Sequence, residues 1–328
     1  MRAKGIAYDT GFVRDGEISV PEFDLGVVAR DLRVIRDDLH CNAVHLVGGS
    51  PERLEQSARI AASLGLEVWF SPYPLELTQA EILELFVDCA QRAERVRAEG
   101  AEVVFVAGVE MSIMNVGFVP GDDVMDRVTR LVSHPDRMAE AAASLNEFLA
   151  TAVKAIRAEF RGRITYACIH FERIDWSLFD IMSFEHIRSA EVADQYPASV
   201  RSLVAQGKPV AITGFGTAAW KGSGAVAPRS MGIVESDESG LPVRLQDGYV
   251  RDEDEQAVYL RELLEIFEAE GVDGAFVYLF ALANYPHRPD EPSRDFDMAS
   301  PGIVKVYDDG HWEPKAAFHT VAEIYARI

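Results

Sequence analysis

Residues 43–72 read AVHLVGGSPERLEQSARIAASLGLEVWFSP, and this stretch decides the fold. Two apolar runs of strand length, 43–48 and 67–72, flank a segment with helical periodicity. Ser50-Pro51 supplies an N-cap followed by a first-turn proline, and Gly65 ends the helix. A strand, a helix and a second strand in so few residues make a βαβ unit, which implies a parallel sheet.

The same unit recurs outward in both directions. Strand-like runs at 4–9 (KGIAYD), 43–48, 67–72, 102–109 (EVVFVAGV), 164–169 (ITYACI), 179–184 (FDIMSF), 208–214 (KPVAITG) and 274–280 (GAFVYLF) make eight. Thr78 and Glu81 have capping-box spacing, and 252–270 carries acids at its start and Gly271 after its end. A last helix is expected over 314–327, opening on Pro314. Helix-to-strand turns are short and glycine-marked, as in LGLE (64–67) and EGVD (270–273), whereas strand-to-helix segments such as 111–134, 215–250 and 281–313 are long. Eight strands with long segments at one end predict a single (β/α)8 TIM barrel over 1–328, with its chemistry where the strands finish. A doubly wound sheet is the alternative, weakened because no G-x-G-x-x-G follows the first strand.

Composition narrows the function. Thirty-two Lys and Arg against 53 Asp and Glu give a net charge of −21, which repels phosphate backbones and anionic membranes, so no nucleic-acid or membrane partner is expected. Cys41, Cys89 and Cys168 are too few and too scattered for a disulfide framework. The chain enters its first strand without an apolar leader and has no run long enough to span a membrane, so a cytoplasmic location is expected. The oligomeric state is left open.

The strand ends present Tyr8, Asp9, His45, Trp69, Ser71, Glu110, His170, Glu172, Glu185, His186, Gly214 and Tyr278. Rings that stack on C–H faces and carboxylates that hold hydroxyls suit a small, oxygen-rich substrate. Tyr8, Asp9, His45, Trp69, Gly214 and Tyr278 are the candidate binding positions. Glu110 is the sharpest catalytic candidate: it follows the unbroken apolar run FVAGV, where partial desolvation raises a carboxyl's pKa and suits it to donate a proton. Its structural alternative is a salt-bridged rim residue. Glu172, Glu185 and His170 are candidates for a second acid or base, with solvated surface groups as the plain alternative. Asp175 reads as an N-cap and Trp176 as a core plug. No metal site is expected, because H-E-x-x-H and a His-x-His after the first strand are both lacking. Neither is a cofactor; glycine-rich 214–224 reads as a mobile lid.

Three motifs carry a resemblance: Asn42-Ala43-Val44-His45-Leu46, Gly108-Val109-Glu110, and Lys208-Pro209-Val210-Ala211-Ile212-Thr213-Gly214-Phe215-Gly216. The chain resembles the retaining glycoside hydrolases of clan A, the cellulase and β-glycosidase-like (β/α)8 barrels with an acid/base Glu after strand four and a nucleophilic Glu after strand seven. The resemblance gives Glu110 the acid/base role and aligns the nucleophile with Gly214, which has no side chain to attack with. His45 stands where the family has an arginine, Val109 where it has an asparagine, and Tyr278 where it has a tryptophan. These changes together point to divergence of the whole site.

What the resemblance implies is a divergent enzyme doing acid/base chemistry, a cyclisation, isomerisation, elimination or addition, on a small metabolite. Glu110 would move the proton, and Gly214 would widen the pocket. The alternatives are a hydrolase of altered or inverting mechanism using Glu110 with Glu172 or Glu185, and a non-catalytic protein with a carbohydrate-shaped cleft.

Overall fold

The computed structural model describes residues 1–14, 17–134, 136–237 and 240–328. Eight parallel strands close into a barrel: β1 (Ala3–Asp9), β2 (Ala43–Gly48), β3 (Glu67–Pro72), β4 (Val103–Val109), β5 (Arg163–Cys168), β6 (Met182–Glu185), β7 (Val210–Phe215) and β8 (Gly274–Val277). Each pairs with its neighbours in sequence, and β8 closes onto β1. The barrel reading therefore holds.

Among the described residues seven helices pack between strands as expected, α1 (Leu25–Asp37), α2 (Pro51–Ser63), α3 (Gln79–Ala98), α4 (Arg137–Glu159), α5 (Tyr196–Val204), α6 (Glu253–Glu270) and α7 (Ala316–Arg327), and two shorter ones, Met111–Met114 and Val124–Ser133, lie in the segment after β4. Between β5 and β6 the chain makes only two short 3₁₀ turns. The cap signals act as read. Ser50 accepts from Arg53 N–H, Thr78 and Glu81 form a full capping box, and Gly271 ends α6 in the left-handed region. Asp175 accepts from Ser177 N–H, as an N-cap should. Pro314 does not open the last helix. It pairs with Val304 in a short antiparallel ladder, and Lys315 precedes the first turn.

Two strands differ from expectation in a way that matters. The sixth begins at Met182; just before it, Asp180 N–H donates to Ile164 O at 2.9 Å and its carboxylate accepts from Ile164 N–H and from Arg157. The strand then extends to Glu185, with a register shift between Phe184 and Glu185 that sets Glu185 beside Gly214. On β4 the register shifts between Val106 and Val109, and Gly108 takes φ +91°. A Cβ at Gly108 would lie 2.5 Å from Met111 Sδ, so this bulge requires glycine.

Inward-facing residues alternate with those facing the helices. Trp69, Phe276 and a set of Ala and Val side chains fill the barrel interior, and the Trp69 and Phe276 rings lie 4.5 Å apart. Thr165 and Ser183 bond across the interior at 2.7 Å. No helix among the described residues is long and apolar enough to cross a membrane.

The long segments after β7 and β8 are tied together. Arg251 bonds Asp295 at 3.0 Å and Asp297 at 2.9 Å, and the fully buried Lys315 bonds Asp297 at 2.9 Å. Breaking one member would strand a buried charge, which typically costs about 3–5 kcal/mol. The 214–224 stretch expected as a lid is largely buried, and Ser223 Oγ donates to Ala218 O.

Candidate active site

A cavity of about 280 Å3 opens at the C-terminal end of the strands. Asp9 (β1), His45 (β2), Glu110 (after β4), Glu185 (β6), Gly214 (β7) and Tyr278 (after β8) converge on it. Tyr73 and Thr213 also line it, and Pro228 and Met231 from the segment after β7 cover one side.

Glu110 follows the β4 bulge and adopts φ 46° and ψ 37°, the left-handed region that a side chain of this kind rarely enters. Its amide donates to Ala167 O at 3.0 Å on the neighbouring strand, which holds the turn. No hydrogen bond reaches its carboxyl among the described residues. Burial, then the negative charges of Glu185 and Glu172, push its pKa up to about 8. It is an acid that holds its proton at neutrality.

Glu185 comes from the sixth strand into the space beside the seventh. Its Oε1 accepts from Thr213 Oγ1 at 2.8 Å, and its Oε2 lies 1.5 Å from where a Cβ on Gly214 would stand. The expectation that Gly214 opens room for a different substrate is therefore overturned: Glu185 fills that room. Burial pushes its pKa up to about 7, opposed by the Thr213 hydroxyl.

Asp9 accepts from Gly11 N–H at 2.7 Å through Oδ1, while its buried Oδ2 has no partner among the described residues. Burial raises its pKa to about 6, opposed by Ser19, the Gly11 amide and the charge of Arg53 behind it. His45 is 2% exposed and packs edge-on against Phe276. Neither ring nitrogen has a hydrogen-bond partner among the described residues. Burial lowers its pKa to about 4, so the imidazole is neutral.

The other sequence candidates lie elsewhere. Glu172 is fully buried outside the cavity lining. It accepts from Ser112 N–H and Oγ, Tyr166 Oη and Ile169 N–H, at 2.7–3.2 Å. Burial nonetheless pushes its pKa up to about 7. His170 is exposed, bonded at 2.6 Å to His186, and does not face the cavity. Tyr8 points outward to Asp31 on α1, because neighbouring residues on a strand face opposite ways and Asp9 takes the inward one. Trp69 is wholly buried in the barrel interior, and its Nε1 donates to Glu67. Trp176 is a half-buried neighbour of Phe179 and Phe184 rather than a core plug.

Thr213 and Tyr73 went unmarked by sequence reasoning. Thr213 was legible only inside the strand-seven motif, where strand alternation puts it on the inward face. A Cβ at Gly216 would sit 2.3 Å from Tyr278 O, so the second glycine of that motif permits close approach of β7 and β8. Among the described residues no group of three or more His, Cys, Asp or Glu could hold a metal ion.

Comparison with solved structures matches this architecture. A glycoside hydrolase family 113 β-1,4-mannanase superposes over 100% of both chains with a TM-score of 0.63 and 15% identity. The chain has a clan A-like barrel. A family 113 β-mannanase from Alicyclobacillus acidocaldarius covers 99% of this chain and 97% of its own, at TM-score 0.60 and 16% identity. A β-glucuronidase from Ruminococcus gnavus covers 99% of this chain with 49% of its own length, at TM-score 0.56 and 15% identity. No family model and no curated protein sequence matches the chain. At these identities the clan A likeness establishes the fold, and chemistry must be argued from the side chains.

Proposed function

We propose that this barrel is an enzyme of general acid–base chemistry on a small, hydroxyl-rich substrate, with Glu110 as the proton donor and Glu185 as the proton acceptor. The placement of Glu185 against Gly214 carries the reading. A glutamate at 214 would project its carboxyl beyond its Cβ by two carbon–carbon bonds of about 1.5 Å each. Glu185 instead holds its Oε2 at the Cβ position itself, so its carboxylate is withdrawn to the strand wall. A withdrawn base leaves room for a hydroxyl or a water between itself and the substrate carbon, and so favours proton transfer over covalent attack.

The two environments divide the roles. Glu110, without a hydrogen-bond donor and pushed to about 8, keeps its proton. Glu185, stabilised by the Thr213 hydroxyl, ionises first. Two carboxyls driven apart in this way make an acid–base assignment. The apolar walls, Val109, Met114, Ile187 and Leu279 among them, limit water around the pair and strengthen its electrostatics.

A rearrangement, elimination or addition fits this pair, and so does an inverting hydrolysis in which Glu185 activates a water while Glu110 protonates the leaving oxygen. The hydrolytic reading is favoured by the mannanase, glucuronidase and glucosidase neighbours in fold. Incubation with aryl glycosides and with small-molecule extract separates the two. Release of aglycone with inversion at the anomeric carbon supports hydrolysis; a product of unchanged mass supports rearrangement. Glu110→Gln must abolish either one, and full turnover by that variant would sink the proposal.

A further inference from the structure

We infer that the ligand of this cavity carries a basic nitrogen, a protonated amine on a hydroxyl-rich skeleton, held through Asp9 at the end of β1 beside Glu110 and Glu185. This deepens the acid–base reading and rests on it. Three carboxyl side chains line one cavity, and no Lys or Arg joins them among the described lining residues. Arg53, whose charge bears on Asp9, spends its guanidinium on the carbonyls of Thr10 and Val20. Enclosed acids without a facing cation repel one another and any anionic ligand, and they are relieved by a positive charge placed among them.

Two unsatisfied polar groups point the same way. Asp9 Oδ2 and both His45 ring nitrogens are buried without a partner in good hydrogen-bond geometry among the described residues, although the Ser19 side chain bears on Asp9 and the Thr213 backbone on His45; both residues line the cavity. Buried polar atoms are almost always paired, so an orphaned set at a cavity wall calls for a partner, which a ligand's donors and acceptors would supply. Asp9 Oδ2 can only accept while ionised, which suits an N–H donor. The neutral His45 ring offers one donor and one acceptor, which suits a hydroxyl group. An amine together with hydroxyls satisfies both. A uronate or a phosphate ester would bring a further negative charge to Asp9 and Glu185 and is excluded by the same argument.

The upward pKa shifts at Asp9 and Glu185, the two acids that ionise before Glu110, supply a second signature. A bound ammonium favours the ionised carboxylates, so binding releases protons to the buffer near neutrality.

The test compares matched probes by calorimetry: glucosamine, glucose and glucuronate, mannosamine with mannose, and tris(hydroxymethyl)aminomethane with pentaerythritol. The aminated member should bind at least about tenfold more tightly than its neutral partner, the uronate should not bind, and heat should vary with buffer ionisation enthalpy. Asp9→Asn should erase the amine's advantage while retaining the thermal melt. Should that variant fail to fold, wild-type protein still decides, because the preference must fade between about pH 7, where the probe amines are still protonated, and about pH 5, as the carboxyls take up protons. Equal or tighter binding of the neutral partners, an advantage that survives at the acidic end, or no binding by any amine would overturn the inference. The first of these leaves the acid–base pair standing; loss of that pair is read separately, from turnover by Glu110→Gln.

Discussion

Two buried glutamates, one after β5 and one at the end of β6, show how little burial alone says about chemistry. Glu172 and Glu185 are both enclosed, and both have their pKa pushed up to about 7 by burial. Yet Glu172 takes four hydrogen bonds from Ser112, Tyr166 and Ile169 and faces no cavity. It is a latch that ties the turn after β5 to the turn after β4 and so holds the backbone that carries Glu110. Glu185 takes one hydrogen bond, from Thr213, and lines the cavity, its second oxygen lying against Gly214. Saturation suits a strut, and an unspent acceptor in an enclosed site suits the base proposed for Glu185.

The largest expected effect tests the acid that both glutamates serve. Glu110→Gln should lower turnover by about 10²–10⁴-fold with the fold retained, measured on whichever product the extract assay identifies. Glu185→Gln should cost turnover on the same order without loss of stability, whereas Glu172→Gln should cost on the order of 1–3 kcal/mol of unfolding free energy by leaving donors unpaired. A Glu172→Gln variant as inactive as Glu185→Gln, yet as stable as wild type, would erase the distinction between strut and base.

A second pair of variants tests the exchange between strands. Gly214→Glu should be strongly destabilised, because its Cβ would overlap Glu185 Oε2, and overpacking of this kind costs about 1–3 kcal/mol or more. Adding Glu185→Ala should recover much of that loss, since the two positions compete for one space. If the losses simply add, the carboxylate of β6 does not occupy the place left by β7.

The pH dependence of stability follows from the same four acids. Asp9, Glu172, Glu185 and Glu110 all have folded pKa values above the ordinary carboxyl range, at about 6, 7, 7 and 8. The folded state thus binds protons that the unfolded state has already released. Their contribution is complete below the unfolded values near 4 and is lost as pH rises through the folded ones. The melting temperature should fall between about pH 5 and about pH 8, by an amount worth a few kcal/mol, and Glu110→Gln should flatten the upper part of that slope. The smallest effect belongs to Tyr8→Phe. It removes one 3.2 Å bond to Asp31 outside the barrel, should cost about 1 kcal/mol, and should leave turnover unchanged.

Much of this was legible in the sequence, for local reasons. The βαβ period, the caps at Ser50 and Thr78, and the glycines closing the helices each act within a few residues, so the barrel could be read. Glu110 could be read too, because it ends a strand whose apolar run marks the wall of the barrel. What stayed hidden depends on register. Whether Glu185 faces inward is set by the register shift between Phe184 and Glu185, which no local sequence signal marks. Tyr8 and Asp9 could not be separated without knowing which inward position ends β1. His170 looked equivalent to Glu172 in sequence, yet one ring lies at the surface against His186 while the carboxylate two residues on is buried. A one-residue change of phase decides the first two cases, and a 3₁₀ turn decides the third.

The central claim is that Glu110 holds its proton because it is buried beside an ionisable Glu185. Carbon-detected titration of the glutamate side-chain carboxyls, in wild-type protein and in Glu185→Gln, measures this directly. The account predicts that Glu110 titrates at about 8 and that its pKa falls when Glu185 loses its charge while still standing well above that of a free glutamate. A Glu110 that titrates near 4, or one whose pKa ignores the substitution at 185, would contradict it.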